Sequence, residues 1–489
     1  MARVLVVGGG VAGLAAARRL ALADQEVVLV EAGDRLGGMI QSATLRAPDD
    51  ATATIDIGAE AFAVRGGAVE RLAKELGLGD EIVEPSALGS WAHGAEGPYR
   101  MPAGGLTGIP GDPGAEGLAA AIGDEGVAAV RAEAELDPAI GAEADSLAEL
   151  VRARFGDRVL DRLVAPVVRG VYSLDPDAVD HRVLVPRLAE RLREEGSLSG
   201  AVAAMRSIAP PGALVRTVRG GMHRLVQALE DECRLLGVEI RLGVRARLEG
   251  DRVLLEQAPA DHGVRAVRGR APGVETGPLL LSAPLGECRD APASDDERFD
   301  RILITAESAL GHTAPPVSTE VVALLVDAPE LDAHPRGTGV LVADADADAD
   351  AADVEAKALT HASAKWPWLD EAVGDGRHVV RLSYGPTVEG GPARTLDLDD
   401  AALRERALRD ASTLLGVELR PEQLLDLARQ HWCIPQPAAR LGRRDELDRV
   451  RTAIDARPDV EVCGTWCDGT GLAHVIPAVD AAVARVIAQ

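Results

Sequence analysis

The stretch VLVVGGGVAGLAAARRLALA, residues 4–23, decides the fold. Val4 to Val7 is a short, continuous apolar run, which is typical of a buried parallel strand. The next residues, Gly8 to Gly13, fit the pattern G-x-G-x-x-G, and Leu14 to Ala23 is rich in strong helix formers. A strand, a glycine turn and a helix in this order predict a turn whose backbone approaches a pyrophosphate, which then rests on the helix N-terminus.

The residues after the turn complete a βαβ unit. Glu26 to Val30 is a second β-rich run, and Glu31 follows it, 18 residues after Gly13. An acid about 20 residues beyond such a turn bonds a ribose hydroxyl in dinucleotide-binding proteins. The whole context therefore predicts a bound dinucleotide; the alternative is an ordinary tight turn, because alanine- and glycine-rich chains form the short pattern by chance.

A second glycine pair, Gly37–Gly38, follows the acid closely, with Arg35 just before it. Together with Glu31 they fit E-x-x-x-R-x-G-G, which resembles the signature of flavoproteins built like amine oxidases. In that superfamily the pair passes beside the diphosphate, and the next strand, matched here by residues 56–60, carries a glycine that borders the flavin. The resemblance implies FAD in preference to NAD.

The end of the chain carries another glycine-rich turn, in the sequence CGTWCDGTGLAHVIPAV, residues 463–479. In flavoproteins of this kind the FAD domain is discontinuous, and its last piece is a strand, a glycine turn and a helix near the C-terminus. The matching strand here is Val460 to Cys463. A helix N-terminus favours the negative charge that a reduced flavin develops at N1 and O2. A C-terminal turn without a ligand is the alternative.

The predicted cofactor-binding residues come from these turns and strands, with Val244 and Trp432 added from the resemblance. They are Gly8, Gly10, Val11, Ala12, Gly13, Glu31, Ala32, Gly37, Gly38, Met39, Ile57, Gly58, Ala59, Glu60, Val244, Trp432, Thr470, Gly471 and Leu472.

Composition excludes several classes of partner. The formal net charge of −26 repels nucleic acid and anionic lipid headgroups, so neither is expected as a general partner. The alternating stretch ADADADADAAD, residues 343–353, predicts a solvated loop. Five scattered cysteines favour neither a disulfide framework nor a zinc site, and no metal is predicted. Without a signal segment or an apolar run long enough to span a bilayer, a cytoplasmic protein is expected.

We expect an α/β protein in which a discontinuous Rossmann-like FAD-binding domain is combined with an α+β substrate domain and a helical insertion. A buried strand at Leu279 to Pro284 is assigned to the FAD-binding domain. The predicted limits are residues 1–85, 212–290 and 445–489 for the FAD-binding domain, 86–113 and 291–444 for the substrate domain, and 114–211 for the insertion.

Several further stretches, in order along nearly the whole chain, resemble the oxygen-dependent protoporphyrinogen and coproporphyrinogen oxidases of haem synthesis. The matching stretches are MPAGGLTGIP at 101–110, APVVRGVYS at 165–173 with Asp175–Pro176, VRGGM at 218–222, KWP at 365–367, and CIPQ at 433–436 preceded by Trp432. The chain departs from the family at Met39, Arg169, Pro437 and Gly442–Arg443. The order of the stretches is more specific than any single one of them.

The resemblance implies dehydrogenation of a porphyrinogen. A hydride leaves a ring methylene bridge for the flavin, a ring N–H gives up its proton, and three rounds remove six electrons, with O₂ reoxidising the flavin to yield hydrogen peroxide. The cofactor carries the redox chemistry, so we expect no strong catalytic dyad and assign no catalytic residue. His431 and His474 are candidate proton shuttles, with a surface or capping role as the alternative.

The porphyrinogen would carry propionates, and arginine suits carboxylates through its planar fork of donors. The predicted substrate-binding residues are Arg100, Arg169 and Lys365, with a solvated or structural charge as the alternative for each.

Two other functions stay open on the sequence. One is another oxidase of the same fold, acting on an amine or a carotenoid; the scarcity of lysines and aromatics argues against an amine. The other is a non-catalytic flavoprotein. Preference between coproporphyrinogen and protoporphyrinogen, weak membrane association of the insertion, and a monomeric or homodimeric state also stay open.

Overall fold

A computed structural model of the chain describes residues 1–207, 214–250, 252–258, 297–311, 316–343, 354–386 and 391–488. The predicted strand Leu279 to Pro284, Cys288 and the acidic stretch beyond Ala343 lie outside the described residues.

The strands are β1 (Arg3–Val7), β2 (Glu26–Glu31), β3 (Ser42–Arg46), β4 (Thr52–Asp56), β5 (Phe62–Ala63), β6 (Ile82–Val83), β7 (Trp91–Gly94), β8 (Gly97–Arg100), β9 (Val215–Val218), β10 (Glu239–Leu242), β11 (Val244–Glu249), β12 (Arg252–Gln257), β13 (Arg301–Ile304), β14 (Val317–Asp327), β15 (Gly339–Val342), β16 (Ala358–His361), β17 (Arg377–Tyr384), β18 (Leu424–Ile434) and β19 (Val460–Val462).

The α-helices are α1 (Val11–Leu22), α2 (Ala68–Glu75), α3 (Leu118–Ala132), α4 (Leu147–Phe155), α5 (Asp157–Val159), α6 (Ala165–Val167), α7 (His181–Leu184), α8 (Leu188–Glu195), α9 (Leu198–Ser207), α10 (His223–Leu235), α11 (Ala362–Lys365), α12 (Pro367–Val373), α13 (Asp400–Leu415), α14 (Arg443–Asp455), α15 (Thr465–Asp468) and α16 (Leu472–Ala488). Two π-helical segments, Leu160–Val164 and Val168–Tyr172, flank α6.

A five-stranded parallel sheet in the order β10-β2-β1-β13-β19 forms the centre of the nucleotide-binding unit. Successive side chains of a strand point to opposite faces. Val4 and Val6 therefore join a core built with α1, α2, α10 and α16. Leu5 and Val7 join a second core with the β11–β12 hairpin and α14. Both faces are covered, which explains why β1 is apolar at every position after its first residue.

The position of β13 differs from the predicted domain limits. Val4 to Val7 pair with Arg301 to Ile304, and Ile302 to Ile304 pair in turn with β19. Residues 301–304 thus belong to the nucleotide-binding sheet, whereas the predicted boundary after residue 290 places them in the substrate domain. A run of four residues carries no signal for the sheet that it joins, because that choice is made by strand pairing far along the chain.

A seven-stranded sheet in the order β18-β14-β17-β16-β15-β7-β8 forms the second unit; it is antiparallel except where β15 meets β7. One face packs on α13 through residues such as Val322, Leu324 and Leu403. The other face, with Val321 and Ala323, packs toward β3, β4 and Trp366. Helices α3 to α9 pack around a core of their own against the β7 and β8 end of this sheet. The expected mixed α/β architecture is confirmed.

No helix in the described ranges is both long enough and apolar enough to cross a bilayer.

A buried ion pair holds the helical unit together. The side chains of Arg154 on α4 and Glu133 are both fully buried and paired. Arg154 Nε donates to Glu133 Oε1 at 2.7 Å, and the same oxygen accepts from the Leu198 backbone N–H at the start of α9 at 2.6 Å. One carboxylate therefore joins α4 to the N-terminus of α9.

Replacing Glu133 with alanine is expected to destabilise the protein by about 3–5 kcal/mol, because a buried guanidinium would lose its counter-charge. Urea unfolding followed by circular dichroism measures the change. Exposed Glu135→Ala, from the same 3₁₀ turn, is the matched control and should stay within about 0.5 kcal/mol of wild type. Equal stability of the two variants would contradict this role for the pair.

Candidate functional site

The first glycine turn closes through a backbone approach that excludes any side chain. A Cβ on Gly13 would lie 1.8 Å from the Gly8 carbonyl oxygen. Gly8 itself has φ of +105°, which L residues rarely adopt. Gly10, with φ of −71°, precedes α1 and accepts the first helical hydrogen bond from Leu14 N at 2.9 Å. The turn therefore presents the amino end of α1 at the carboxyl edge of the sheet.

The second glycine pair lies directly on this turn. Gly37 N donates to Gly9 O at 2.8 Å, and Gly10 and Gly37 form a parallel bridge. A Cβ on Gly38 would lie 3.2 Å from Gly10 Cα. The two stretches that the sequence predicts to flank the diphosphate are thus brought into contact, and side chains at either would narrow the space between them.

Glu31 ends β2 beside the turn. One carboxylate oxygen accepts from Gly9 N and the other from Gly33 N, each at 2.7 Å. Gly243 N donates to Gly33 O at 2.9 Å, and this bond holds the start of β11 against the loop that follows Glu31. Val244, the first residue of β11, is buried. The structure therefore brings together the predicted ribose acid and the predicted position on β11.

The C-terminal glycine turn lies at the same edge of the sheet as the first glycine turn, and β13 separates the strands that lead into them. Thr305, directly after β13, donates its hydroxyl to Val7 O at 2.8 Å and fills the space beside Gly8. On its other side, a Cβ on Gly464 would lie 2.9 Å from Thr305 O. Thr305 therefore lies between the two glycine turns. The sequence did not predict this role, because Thr305 belongs to no motif and only follows a short buried strand.

Helix α16 begins beyond this second turn and packs beside α1. Arg19 on α1 pairs with Asp480 on α16 at 2.6 Å, and the apolar face of α16 joins the core that contains Leu14. Thr470 and Gly471 are exposed at the start of α16, where Gly471 has φ of +99°, and Leu472 is its first residue. Two helix N-termini thus begin at one edge of the sheet.

The buried carboxylate of Asp56, which is not among the predicted site residues, connects this region to α10. It accepts from Met222 N at 2.6 Å and from His223 N at 3.1 Å, and it lies 3.1 Å from His223 Nδ1. A Cβ on Gly221 would lie 2.9 Å from the same carboxylate. Asp56 therefore caps α10 from the end of β4, and the glycine turn in VRGGM is what lets it approach.

The predicted residues Met39, Ile57, Gly58 and Trp432 form one cluster. A Cβ on Gly58 would lie 2.1 Å from Met39 O and 2.8 Å from Trp432 Cζ2, and Trp432 Nε1 donates to Ile57 O at 3.2 Å. The guanidinium of Arg35 lies 5.7 Å from the Trp432 ring centroid. The C-terminal part of the second unit thus packs its tryptophan on the strand end that is predicted to border the flavin.

Glu60 is held by two cations. Lys365 Nζ donates to Glu60 Oε1 at 2.6 Å, and Arg381, whose guanidinium also donates to Gly58 O at 2.8 Å, pairs with Oε2. Burial raises the pKa of the Glu60 carboxyl, but the charges of Lys365 and Arg381 outweigh it and lower the pKa to about 2. The cluster therefore carries one net positive charge beside Gly58, and no local signal in the sequence links its members.

The three predicted substrate-binding cations have different partners in the structure. Lys365 pairs with Glu60, and Arg169 pairs with Asp175 at 2.7 Å. Arg100 is exposed at the end of β8, the edge strand of the seven-stranded sheet, and its guanidinium lies near Leu88 O at 3.4 Å.

The two candidate histidines also have protein partners. His431 Nε2 and Ser318 Oγ are hydrogen-bonded at 2.9 Å, and His474 on α16 contacts the Arg65 guanidinium. Burial, followed by the charge of Arg65, lowers the pKa of the His474 imidazole. Of the two, His474 is the one placed beside the C-terminal glycine turn.

Together the residues present fit a dinucleotide with a flavin end. Gly10 and Gly38 pack backbone against backbone at the N-terminus of α1, so no side chain covers this surface, and Glu31 lies beside it, bonded to Gly9 N. An anionic diphosphate is stabilised at a helix N-terminus.

Gly13→Ala and Gly10→Ala should fail differently. At Gly13 the new Cβ would strike the Gly8 carbonyl, so little folded holoprotein should be recovered. Gly10 has an extended backbone conformation that alanine also adopts, and its new Cβ would lie 3.9 Å from Gly38 Cα, an ordinary contact distance. The Gly10→Ala protein should therefore fold but retain less FAD. Circular dichroism and flavin absorbance per chain measure the two effects; full FAD content in Gly10→Ala would place the diphosphate elsewhere.

The Glu60 cluster predicts a dependence of stability on pH. Because the pKa of this carboxyl falls from an ordinary 4.5 to about 2 on folding, its contribution is complete above pH 4.5 and is lost as the pH falls toward 2. The unfolding free energy of wild type should exceed that of Glu60→Gln by an amount that shrinks over this range, by about 3 kcal/mol in all. Urea unfolding at several pH values measures it, with exposed Glu125→Gln as the charge control. Parallel curves for wild type and Glu60→Gln would contradict the assignment.

Comparison with known proteins agrees with this geometry. Coproporphyrinogen III oxidase of Mycobacterium tuberculosis (strain CDC 1551 / Oshkosh) is 29% identical over 99% of this chain and 96% of its own length. The Bacillus subtilis (strain 168) coproporphyrinogen III oxidase is 25% identical over 99% and 97%. Human amine oxidase [flavin-containing] B is similar over only 20% of the chain.

Among solved structures, a protein from Exiguobacterium sp. 255-15 that carries a provisional protoporphyrinogen oxidase assignment covers 100% of this chain and 99% of its own. Its TM-score is 0.73 at 24% identity, which is a likeness of fold. The sequence profile of the family described as flavin containing amine oxidoreductase matches residues 11–262, more than half of the chain. The chain therefore belongs to the flavin containing amine oxidoreductases and is an FAD-dependent oxidoreductase.

Proposed function

We propose that this protein dehydrogenates a porphyrinogen in haem biosynthesis, converting coproporphyrinogen III to coproporphyrin III with O₂ as the acceptor and hydrogen peroxide as the by-product. The observation that carries the proposal is the match, along 99% of the chain, to relatives named coproporphyrinogen III oxidase. Their names favour coproporphyrinogen over protoporphyrinogen. The two glycine turns at one edge of the sheet, which fit a dinucleotide, support the flavin part of the proposal.

When bound, FAD supplies the two-electron acceptor that each round of the reaction requires. The chain's own part is electrostatic and steric. The amino end of α16 and the net positive Glu60 cluster would stabilise negative charge on the reduced cofactor. Buried Trp432 packs against Gly58 and covers one side of this strand end.

Binding of the substrate's propionates to Arg100 and Arg169 stays a prediction. Arg100 is exposed at a sheet edge, and the Arg169 guanidinium is engaged by Asp175, so a propionate there would compete with or join that carboxylate. Lys365 is a weaker candidate, since Glu60 already neutralises much of its charge.

Amine oxidation is the competing activity within the family. The likeness to human amine oxidase B is confined to a fifth of the chain, whereas the porphyrinogen oxidases match nearly all of it. The solved putrescine oxidase structures share the fold at 14–15% identity and a TM-score near 0.6, which carries no information on substrate. A cytoplasmic location and a monomeric or homodimeric state stay predictions.

Turnover tests the proposal directly. Purified holoprotein mixed with coproporphyrinogen III in air should produce porphyrin fluorescence well above autoxidation, with about three molecules of hydrogen peroxide for each porphyrin, because six electrons leave in pairs. Protoporphyrinogen IX in parallel measures the preference, and putrescine should release no peroxide. If FAD is bound and fluorescence follows the autoxidation rate, the protein is not a porphyrinogen oxidase, and a non-catalytic flavoprotein becomes the better interpretation.

A further inference from the structure

Lys357, just before β16, is a buried cation whose partners are neutral. Its side chain is one of only three lysine side chains in the chain, and the residue is 9% exposed. Its Nζ donates to Ser173 Oγ at 2.5 Å and to Thr319 Oγ1 at 3.3 Å. Within the described ranges no carboxylate oxygen lies within 4.0 Å of this ammonium. Burial lowers the pKa of the Lys357 amine to about 8.

Other buried cations of the described chain are treated differently. Each buried arginine side chain pairs with at least one glutamate; the pairs are Arg18 with Glu75 and Glu232, Arg154 with Glu133, Arg429 with Glu320, and Arg443 with Glu307 and Glu446. A buried charge without a counter-charge is costly. Among the described residues Lys357 is the exception, and a carboxylate of a ligand is a counter-charge that its ammonium could accept.

The position of Lys357 links three parts of the molecule. Ser173 ends the π-helical segment Val168–Tyr172 of the helical unit, in a left-handed conformation with φ of +55°. Thr319 lies opposite Trp432 in the β14–β18 pair, and opposed residues project from the same face of a sheet. Trp432 in turn packs on Gly58. The ammonium therefore lies between the helical unit and the sheet face that carries the predicted flavin-side tryptophan.

We propose that Lys357, together with the hydroxyls of Ser173 and Thr319, binds a carboxylate of the substrate; this rests on the proposed function, whose substrate carries propionates. An ammonium has three N–H donors, and the two hydroxyls use two of them, so the third remains for a carboxylate oxygen. Hydroxyls both donate and accept, so Ser173 and Thr319 can turn to donate to the same carboxylate. The three groups form a compact, largely buried site for one anionic group.

The test uses the oxidised holoprotein and compares two ligands that differ only in charge. Coproporphyrin III carries free carboxylates, whereas its tetramethyl ester carries none. Lys357→Gln should weaken binding of the free acid about 10- to 100-fold in a fluorescence titration and leave binding of the ester unchanged. The KM for coproporphyrinogen III should rise by a similar factor with kcat within about twofold. Lys357→Arg should restore part of the affinity.

The matched control is Lys74→Gln, which removes a lysine from the exposed face of α2 and should alter neither ligand's affinity. Unchanged FAD content and thermal midpoint in Lys357→Gln exclude a folding defect, and if that variant is unstable, Lys357→Met and Lys357→Arg provide the same comparison.

Four results would overturn the inference. Equal weakening of acid and ester would assign Lys357 a structural role, and a fall in kcat at constant KM would assign it to proton transfer. Unchanged binding of the acid by Lys357→Gln, in a protein whose wild type turns over coproporphyrinogen III, would refute the carboxylate site alone. A wild type that turns over neither porphyrinogen would overturn the proposed function and this site with it.

Discussion

The nucleotide-binding turn of this molecule depends on one backbone contact, the approach of Gly13 to the carbonyl of Gly8. No side chain fits there, since a Cβ would lie 1.8 Å from the carbonyl oxygen. The contact lets α1 begin at Val11, after a three-residue turn that follows β1, and places its N-terminus at the carboxyl edge of the sheet. Gly37 then hydrogen-bonds to Gly9 on the other side of the same turn. These two approaches leave bare backbone at the N-terminus of α1, where an anionic diphosphate would be stabilised without any charged side chain.

The order of the strands places the C-terminal glycine turn and α16 at the same edge of the sheet as the first glycine turn. Because β13 pairs with β1 and β19 pairs with β13, the end of the chain is delivered to the same edge as its beginning. Thr305, at the end of β13, lies between the two glycine turns, where it donates a hydrogen bond to Val7 O and packs against Gly464. A terminal helix would otherwise be free to fray. Here α16 is tied down by the core that it shares with α1 and by the pair of Arg19 with Asp480.

Local patterns predicted the parts of this arrangement that are local. The glycine turn, Glu31 and the second glycine pair are adjacent in sequence, and each acts through backbone that its neighbours determine. The resemblance selected Gly58 and Trp432 separately as cofactor-binding candidates, and the structure brings these two distant residues into contact, whereas their contact with a flavin stays a prediction. What sequence reasoning missed depends on tertiary pairing.

Asp56 caps a helix that starts at residue 223, and Arg381 meets Glu60 from another sheet. No periodicity or spacing records such contacts, because side chains from different units meet only after folding. The same reason explains why Lys365 and Arg169, chosen for their charge, turn out to have acids of their own. In a protein with this excess of carboxylates, most cations are neutralised internally, so the type of residue is a poor guide to ligand binding. The informative quantity is the balance of charge around each buried cation. Among the described residues glutamate provides that balance at Arg154 and Arg429, whereas none provides it at Lys357.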